Sequence, residues 1–217
     1  MEAVTFTVED GVRLEGELRV DVEHPRAGAV ICHPHPKEGG SKDHPILWAL
    51  RNALAARMGM AALAFNFRGV MGSEGTYGGG WDEVKDARAA LAFVRGRAPS
   101  TQTLLAGWSF GANVAIRTVG GGEHVSALTL IGIPLEPGDL TLPALPDPRA
   151  LRTQAPPTLF VAGDRDPFCP AERLREYAAA GGADCLVVEN TDHYFWRRER
   201  ELAAAICDWA ETALGLG

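Results

Sequence analysis

Ser109 lies between two glycines in Gly107-Trp108-Ser109-Phe110-Gly111, directly after the apolar run Thr103 to Ala106 and directly before a helix-compatible stretch, Ala112 to Val119. That context suits a sharp strand-to-helix turn, where crowded backbone leaves no room for a Cβ two residues to either side of the serine. Such a turn lifts Oγ above the sheet edge. It also aims the free N–H groups of the helix N-terminus at the place where negative charge develops on an attacked carbonyl. The chemistry this allows is nucleophilic catalysis; the competing reading is a glycine-rich turn such as any α/β protein contains.

A serine hydroxyl is a poor nucleophile until a base takes its proton, and the base works best when a third group fixes its orientation. His193 follows the strand-like run Asp184 to Val188 after the short loop Glu189 to Asp192, which puts it at the carboxyl edge of a sheet. It is the predicted base, against the alternative of a loop histidine capping the last helix. Two acids, Asp164 and Asp166, stand just beyond the run Thr158 to Ala162. In so short a turn one Asp often holds its own backbone, so both remain candidates at this point. Trp108, Phe168, Phe195 and Trp196 adjoin these positions and would wall an apolar pocket, ordinary packing being the alternative for each.

The elements that must position these groups alternate along the chain. Val4 to Val8 and Arg13 to Val20, separated by Asp10-Gly11, read as an antiparallel hairpin. After Pro25, apolar strands (Ala29 to His33, Ala61 to Phe67, Thr103 to Ala106, Val125 to Ile133, Thr158 to Ala162, Asp184 to Val188) alternate with amphipathic helices (Pro45 to Met58, Asp82 to Arg97, the stretch after Ser109, Ala171 to Ala179, Glu199 to Leu214). Near-continuous apolar strands between helices mean a mostly parallel sheet covered on both faces, with ligands gathered beyond the carboxyl ends of the strands. The long connection Leu135 to Pro157 reads equally as a small flap or a surface excursion.

A chain of 217 residues is expected to form one domain, 1–217. Its net charge of −7 argues against nucleic acid or an anionic membrane as partner, leaving a small molecule. No signal-peptide pattern opens the chain and no apolar run reaches spanning length, so a cytoplasmic location is expected. The four cysteines, Cys32, Cys169, Cys185 and Cys207, contain no C-x-x-C pair and fit reduced thiols better than a disulfide framework or zinc site. The scarcity of lysine, three of 21 basic residues, beside abundant alanine and glycine hints at a bacterial source.

The order Ser109, Asp166, His193 is that of the α/β-hydrolases. Over almost its whole length the sequence resembles the compact bacterial members marked by His-Pro-His-Pro and Gly-Gly, dienelactone-hydrolase and esterase-like enzymes. The matching residues are His33-Pro34-His35-Pro36 with Gly39-Gly40, Asn66-Phe67-Arg68-Gly69 with Gly72-Ser73-Glu74-Gly75, the serine pentapeptide, Gly163 to Asp166 with Pro170, and Asp192-His193. Met71 departs from the pattern, which has glycine there. The resemblance implies an eight-stranded, mostly parallel sheet with an N-terminal antiparallel pair, helices on both faces and little or no lid. It selects Asp166 as the acid. It also implies two backbone donors for an oxyanion, one from Phe110 and one from the loop after Ala29 to His33. Pro34 and Pro36 have no N–H, so His35 is the donor there, in a loop stiffened by its prolines.

The expected activity is cofactor-independent hydrolysis of a small-molecule carboxylic ester through an acyl-enzyme, with Trp108, Phe168 and Trp196 as substrate contacts. A thioesterase or a small peptidase or amidase would use the same residues, and a non-catalytic binding module would use the same fold. Metal ligation by His33 and His35 is disfavoured, because no Asp-His follows at metallo-hydrolase spacing; His33 reads better as a loop brace. Arg68 is expected to be tied to a nearby carboxylate. Trp81, Glu83 and Asp86 are read as residues opening a helix, where acids complement the dipole.

Overall fold

In a computed structural model describing residues 1–98 and 102–217, eight strands form one sheet. In chain order they are β1 (Glu2–Thr7), β2 (Arg13–Arg19), β3 (Gly28–Cys32), β4 (Ala61–Phe65), β5 (Thr103–Trp108), β6 (Ala127–Ile131), β7 (Thr158–Gly163) and β8 (Asp184–Val188). Their order across the sheet is β1-β2-β4-β3-β5-β6-β7-β8. β1 and β2 pair antiparallel around the Asp10-Gly11 turn, β2 is antiparallel to β4, and every pairing from β4 to β8 is parallel.

The parallel strands β3 to β7 are buried on both faces, with the edge strand β8 partly exposed, and their alternate side chains enter two cores. Val30 and Cys32 of β3 face one core; Ala29 and Ile31 face the other. The first core is closed by α2 (Glu83–Arg95), α3 (Phe110–Gly120) and α5 (Ala171–Gly181), the second by α1 (Pro45–Met58) and α6 (Glu199–Ala213). α1 has its expected bounds: the His44 ring accepts the Ile46 N–H, Pro45 occupies the first turn, and Gly59 closes the helix in the left-handed conformation at φ 64°. No helix among the described residues is long and apolar enough to cross a membrane.

The chain runs outward from β3 in opposite directions, to β4 on one side and β5 on the other, so a crevice opens beyond their carboxyl ends. Cys32 of β3 stands level with Gly107 of β5. That register brings the His33 to His35 segment beside Ser109.

The connection from β6 to β7 is partly flap and partly surface. Its first residues reach the crevice, and its end folds as a short helix, α4 (Pro148–Gln154), with Asp147 as cap and Pro148 in the first turn. It is tied down by hydrogen bonds from Asn113 Nδ2 to Pro143 O (2.9 Å) and from Tyr177 Oη to Pro146 O (2.5 Å).

Candidate active site

Ser109, between the end of β5 and the start of α3, has φ 56° and ψ −116°, a strained conformation for a residue with a side chain. The surroundings enforce it. A Cβ on Gly107 would lie 2.2 Å from Gly111 O, and a Cβ on Gly111 would lie 2.3 Å from Cys32 O, so the backbone closes only with glycine at both positions. The Ser109 N–H donates to Ile131 O of β6 at 2.8 Å, holding the turn to the sheet. The serine side chain does not cap α3; it opens into a cavity of about 530 Å³.

His193 and Asp166 meet beside the same cavity. His193 Nδ1 lies 2.8 Å from Asp166 Oδ2, with both residues buried. The other oxygen, Asp166 Oδ1, accepts the N–H groups of Phe168 (2.9 Å) and Cys169 (3.0 Å). The carboxylate is thereby aimed, with Oδ2 reserved for the imidazole. Asp164 is turned away: its Oδ1 accepts the Thr191 N–H at 3.1 Å and holds the loop leading to His193.

Two contacts that fix this pair are not evident from sequence. Gly132, with φ 52°, follows β6, and a Cβ there would lie 2.9 Å from His193 Cε1 and 3.2 Å from Asp166 Oδ2. Any side chain would displace the pair. Trp108, which precedes Ser109, donates from Nε1 to the backbone carbonyl of His193 at 3.2 Å, so one turn holds both the serine and the loop of the histidine.

On the opposite wall the His35 and Phe110 rings pack edge to face at 5.2 Å, and Tyr77 touches both. That packing fixes the two backbones relative to each other. His35 Nδ1 accepts the Lys37 N–H at 3.2 Å, so in the neutral ring Nε2 carries the proton and donates to Tyr77 Oη at 3.1 Å. Burial lowers the His35 pKa, the nearby Glu38 opposing the shift, and this favours that neutral form.

His33 takes the bracing role. Its Nδ1–H donates to Pro34 O (2.7 Å) and its Nε2 accepts the Phe67 N–H (3.0 Å), tying the loop after β3 to the end of β4. Burial pushes its pKa down to about 4. Arg68 is likewise structural, bonded to both oxygens of buried Asp86 and to Asp10. Asp86 is therefore not mainly a partner of the helix dipole, as its place in the sequence suggests; it is half of a buried ion pair. Glu83 is also buried and accepts the N–H groups of Gly78 (2.7 Å) and Gly80 (2.8 Å).

Of the aromatic residues expected at the pocket, Trp108, Phe168 and Trp196 line the cavity. Phe168 meets the His193 ring at 5.0 Å. Phe195 instead turns fully into the core behind α6, with its backbone at φ 50°. Sequence reading missed His44, whose ring lies 4.2 Å from Trp108, and Tyr194, stacked on Trp196 at 5.9 Å. Pro134, Pro137, Asp139 and Leu140, from the β6–β7 connection, close the remaining side. Met71 is left-handed at φ 51° and exposed, which explains why glycine suits that position.

Among the described residues, no cluster of three or more His, Cys, Asp or Glu side chains is arranged to hold a metal ion. The arrangement places a serine hydroxyl and an imidazole held by a carboxylate at one cavity.

The sequence matches the family described as an alpha/beta hydrolase domain over residues 29–213. A structure of a protein of unknown function from Agrobacterium tumefaciens, described as a putative alpha/beta hydrolase, superposes with a TM-score of 0.83 at 25% identity, covering 99% of this chain and 97% of that one. An alpha-beta serine hydrolase homologue from Coxiella burnetii has a TM-score of 0.80 at 28% identity, covering 95% and 96%. A protein from Xanthomonas campestris, described as a member of the a/b serine hydrolases without lid, has a TM-score of 0.80 at 27% identity, covering 98% and 94%.

Proposed function

The chain belongs to the alpha/beta hydrolase family, and from that premise we propose that it is a serine hydrolase cleaving small carboxylic esters through an acyl-enzyme. The observation that carries this reading is the His193 Nδ1 to Asp166 Oδ2 pair at 2.8 Å, facing the cavity into which the strained Ser109 opens. Serine hydrolase homologues with the same fold in Coxiella burnetii and Xanthomonas campestris support it.

In the proposed reaction Ser109 Oγ attacks the ester carbonyl while His193 Nε2 takes its proton. Asp166 holds the ring in the Nδ1–H tautomer and stabilises the imidazolium that forms. The N–H groups of Phe110 and His35 receive the oxyanion; loss of one such donor typically raises a barrier by roughly 2.7–4 kcal/mol. His193 then returns the proton to the departing alcohol. It next deprotonates the water that releases the acid and restores Ser109. Each step uses groups of this chain, and none calls for a cofactor.

A panel of p-nitrophenyl esters, acyl thioesters and aminoacyl amides, assayed with wild type and Ser109→Ala, tests the proposal. Esters should be turned over and Ser109→Ala should be inactive. A preference for amides or thioesters by orders of magnitude would overturn the ester assignment, and a fully active Ser109→Ala would overturn the nucleophile.

A further inference from the structure

The charge and shape of the cavity bear on which ester enters it. Its lining contains no lysine or arginine, and it contains two carboxylates, Glu38 and Asp139, that form no ion pair among the described residues. They enter from different elements, Glu38 from the turn after β3 and Asp139 from the β6–β7 connection. Three histidines share the wall: burial drives His44 down to about 4 and lowers His35 as well, so neither offsets the carboxylates, and His193 is already paired with Asp166. The nearby Lys37 ammonium lies over the Tyr77 ring, 4.7 Å from its centre, and does not line the cavity.

The rest of the wall is aromatic. Tyr194 and Trp196 are 44% and 58% exposed, stacked on one another at an interplanar angle of 22°, and continue inward to Trp108 and His44. Large rings left in water at a cavity mouth mark a recognition surface. Ring faces combined with unpaired carboxylates attract an organic cation, above all a quaternary or alkylated ammonium, whose weak hydration lets it leave water for a ring face. A purely apolar ester would use the rings and leave the carboxylates without a role. An anionic ester would meet two like charges. The net charge of −7 adds attraction at longer range.

We infer that the cavity selects esters carrying a positively charged ammonium group, held between the Tyr194–Trp196 rings and the Glu38 and Asp139 carboxylates. The inference rests on the proposed ester hydrolysis and narrows its substrate class.

Three acetate esters of similar shape separate charge from size: acetylcholine, its uncharged carbon isostere 3,3-dimethylbutyl acetate, and the anionic 4-acetoxybutanoate. At low ionic strength kcat/KM should favour the cation over the neutral ester by about tenfold, with the anion poorest, and the preference should shrink as salt is added. Glu38→Gln with Asp139→Asn, both at exposed positions, should bring the ratio of cationic to neutral kcat/KM towards one. A wild-type ratio at or below one, with the neutral ester still cleaved, would overturn the inference and leave the ester-hydrolase reading standing. A strong preference unaltered in the double variant would overturn the role of the carboxylates. Cleavage of p-nitrophenyl esters with none of the three acetates cleaved would overturn this inference alone, and failure on the p-nitrophenyl esters as well would remove the proposed function with it.

Discussion

The loops after β3 and β8 each bury a histidine at the carboxyl edge of the sheet, yet the two rings are used in opposite ways. His33 has both nitrogens occupied, by Pro34 O and the Phe67 N–H, and burial holds it neutral down to about pH 4. His193 gives only Nδ1 to a partner, and that partner is a carboxylate. The buried acids divide the same way: Asp86 is bound to the permanent cation Arg68, whereas Asp166 faces a ring that can gain or lose a proton. Burial therefore does not distinguish a chemical group from a structural one. A nitrogen left open towards a cavity, opposite a carboxylate already aimed by backbone N–H groups, does.

The largest effect is expected at Asp166. Asp166→Asn keeps the shape but favours the wrong tautomer of His193, and kcat for the best ester should fall on the order of 10⁴-fold while KM changes little. A loss under tenfold would mean that the carboxylate only braces its loop. The contrasting acid is probed through its cation: Arg68→Met leaves Asp86 buried and unpaired and should cost about 3–5 kcal/mol of unfolding free energy, read by denaturant titration.

Next in size is the pH response of His33. In the unfolded chain its pKa is near 6.5, and in the folded one about 4, so above 6.5 the ring is neutral in both states. As pH falls, the unfolded chain takes up the proton first, and stability is lost between about 6.5 and 4, by up to about 3 kcal/mol. His33→Gln should flatten that part of the stability curve, leaving the share that His44 and His35, also lowered by burial, contribute below 6.5. An unchanged slope would contradict the buried, neutral assignment. The smallest effect is expected from Trp108→Phe, which removes the hydrogen bond to His193 O and keeps the ring. At about 1 kcal/mol, kcat should drop about fivefold with little change in KM.

Local pattern explains what was legible in the sequence. Helix α1 is written in His44-Pro45 and Gly59, the hairpin in Asp10-Gly11, and the turn at Ser109 in two glycines that the backbone closes upon. Helix α4 was missed although Asp147-Pro148 is a start signal, because the proline- and leucine-rich run around it reads as loop. Positions whose meaning lies in distant contacts were not legible. Gly132 looks like any strand-ending glycine until His193 and Asp166 fold against it, and Asp86 looks like a helix-opening acid until Arg68 arrives from β4. His44 acts locally as a cap and at long range as a cavity wall, and only the first role shows in its neighbours. Proximity in sequence points Phe195 at the pocket, but its left-handed backbone turns the ring to the core.

The proposed nucleophile is Ser109, activated through His193 and Asp166. Incubation with a fluorophosphonate followed by peptide mass mapping tests it directly. One adduct is expected on Ser109, formed in step with loss of esterase activity and suppressed in the Asp166→Asn variant. Full ester turnover by a protein that remains unlabelled, or an inactivating adduct on another residue, would contradict it.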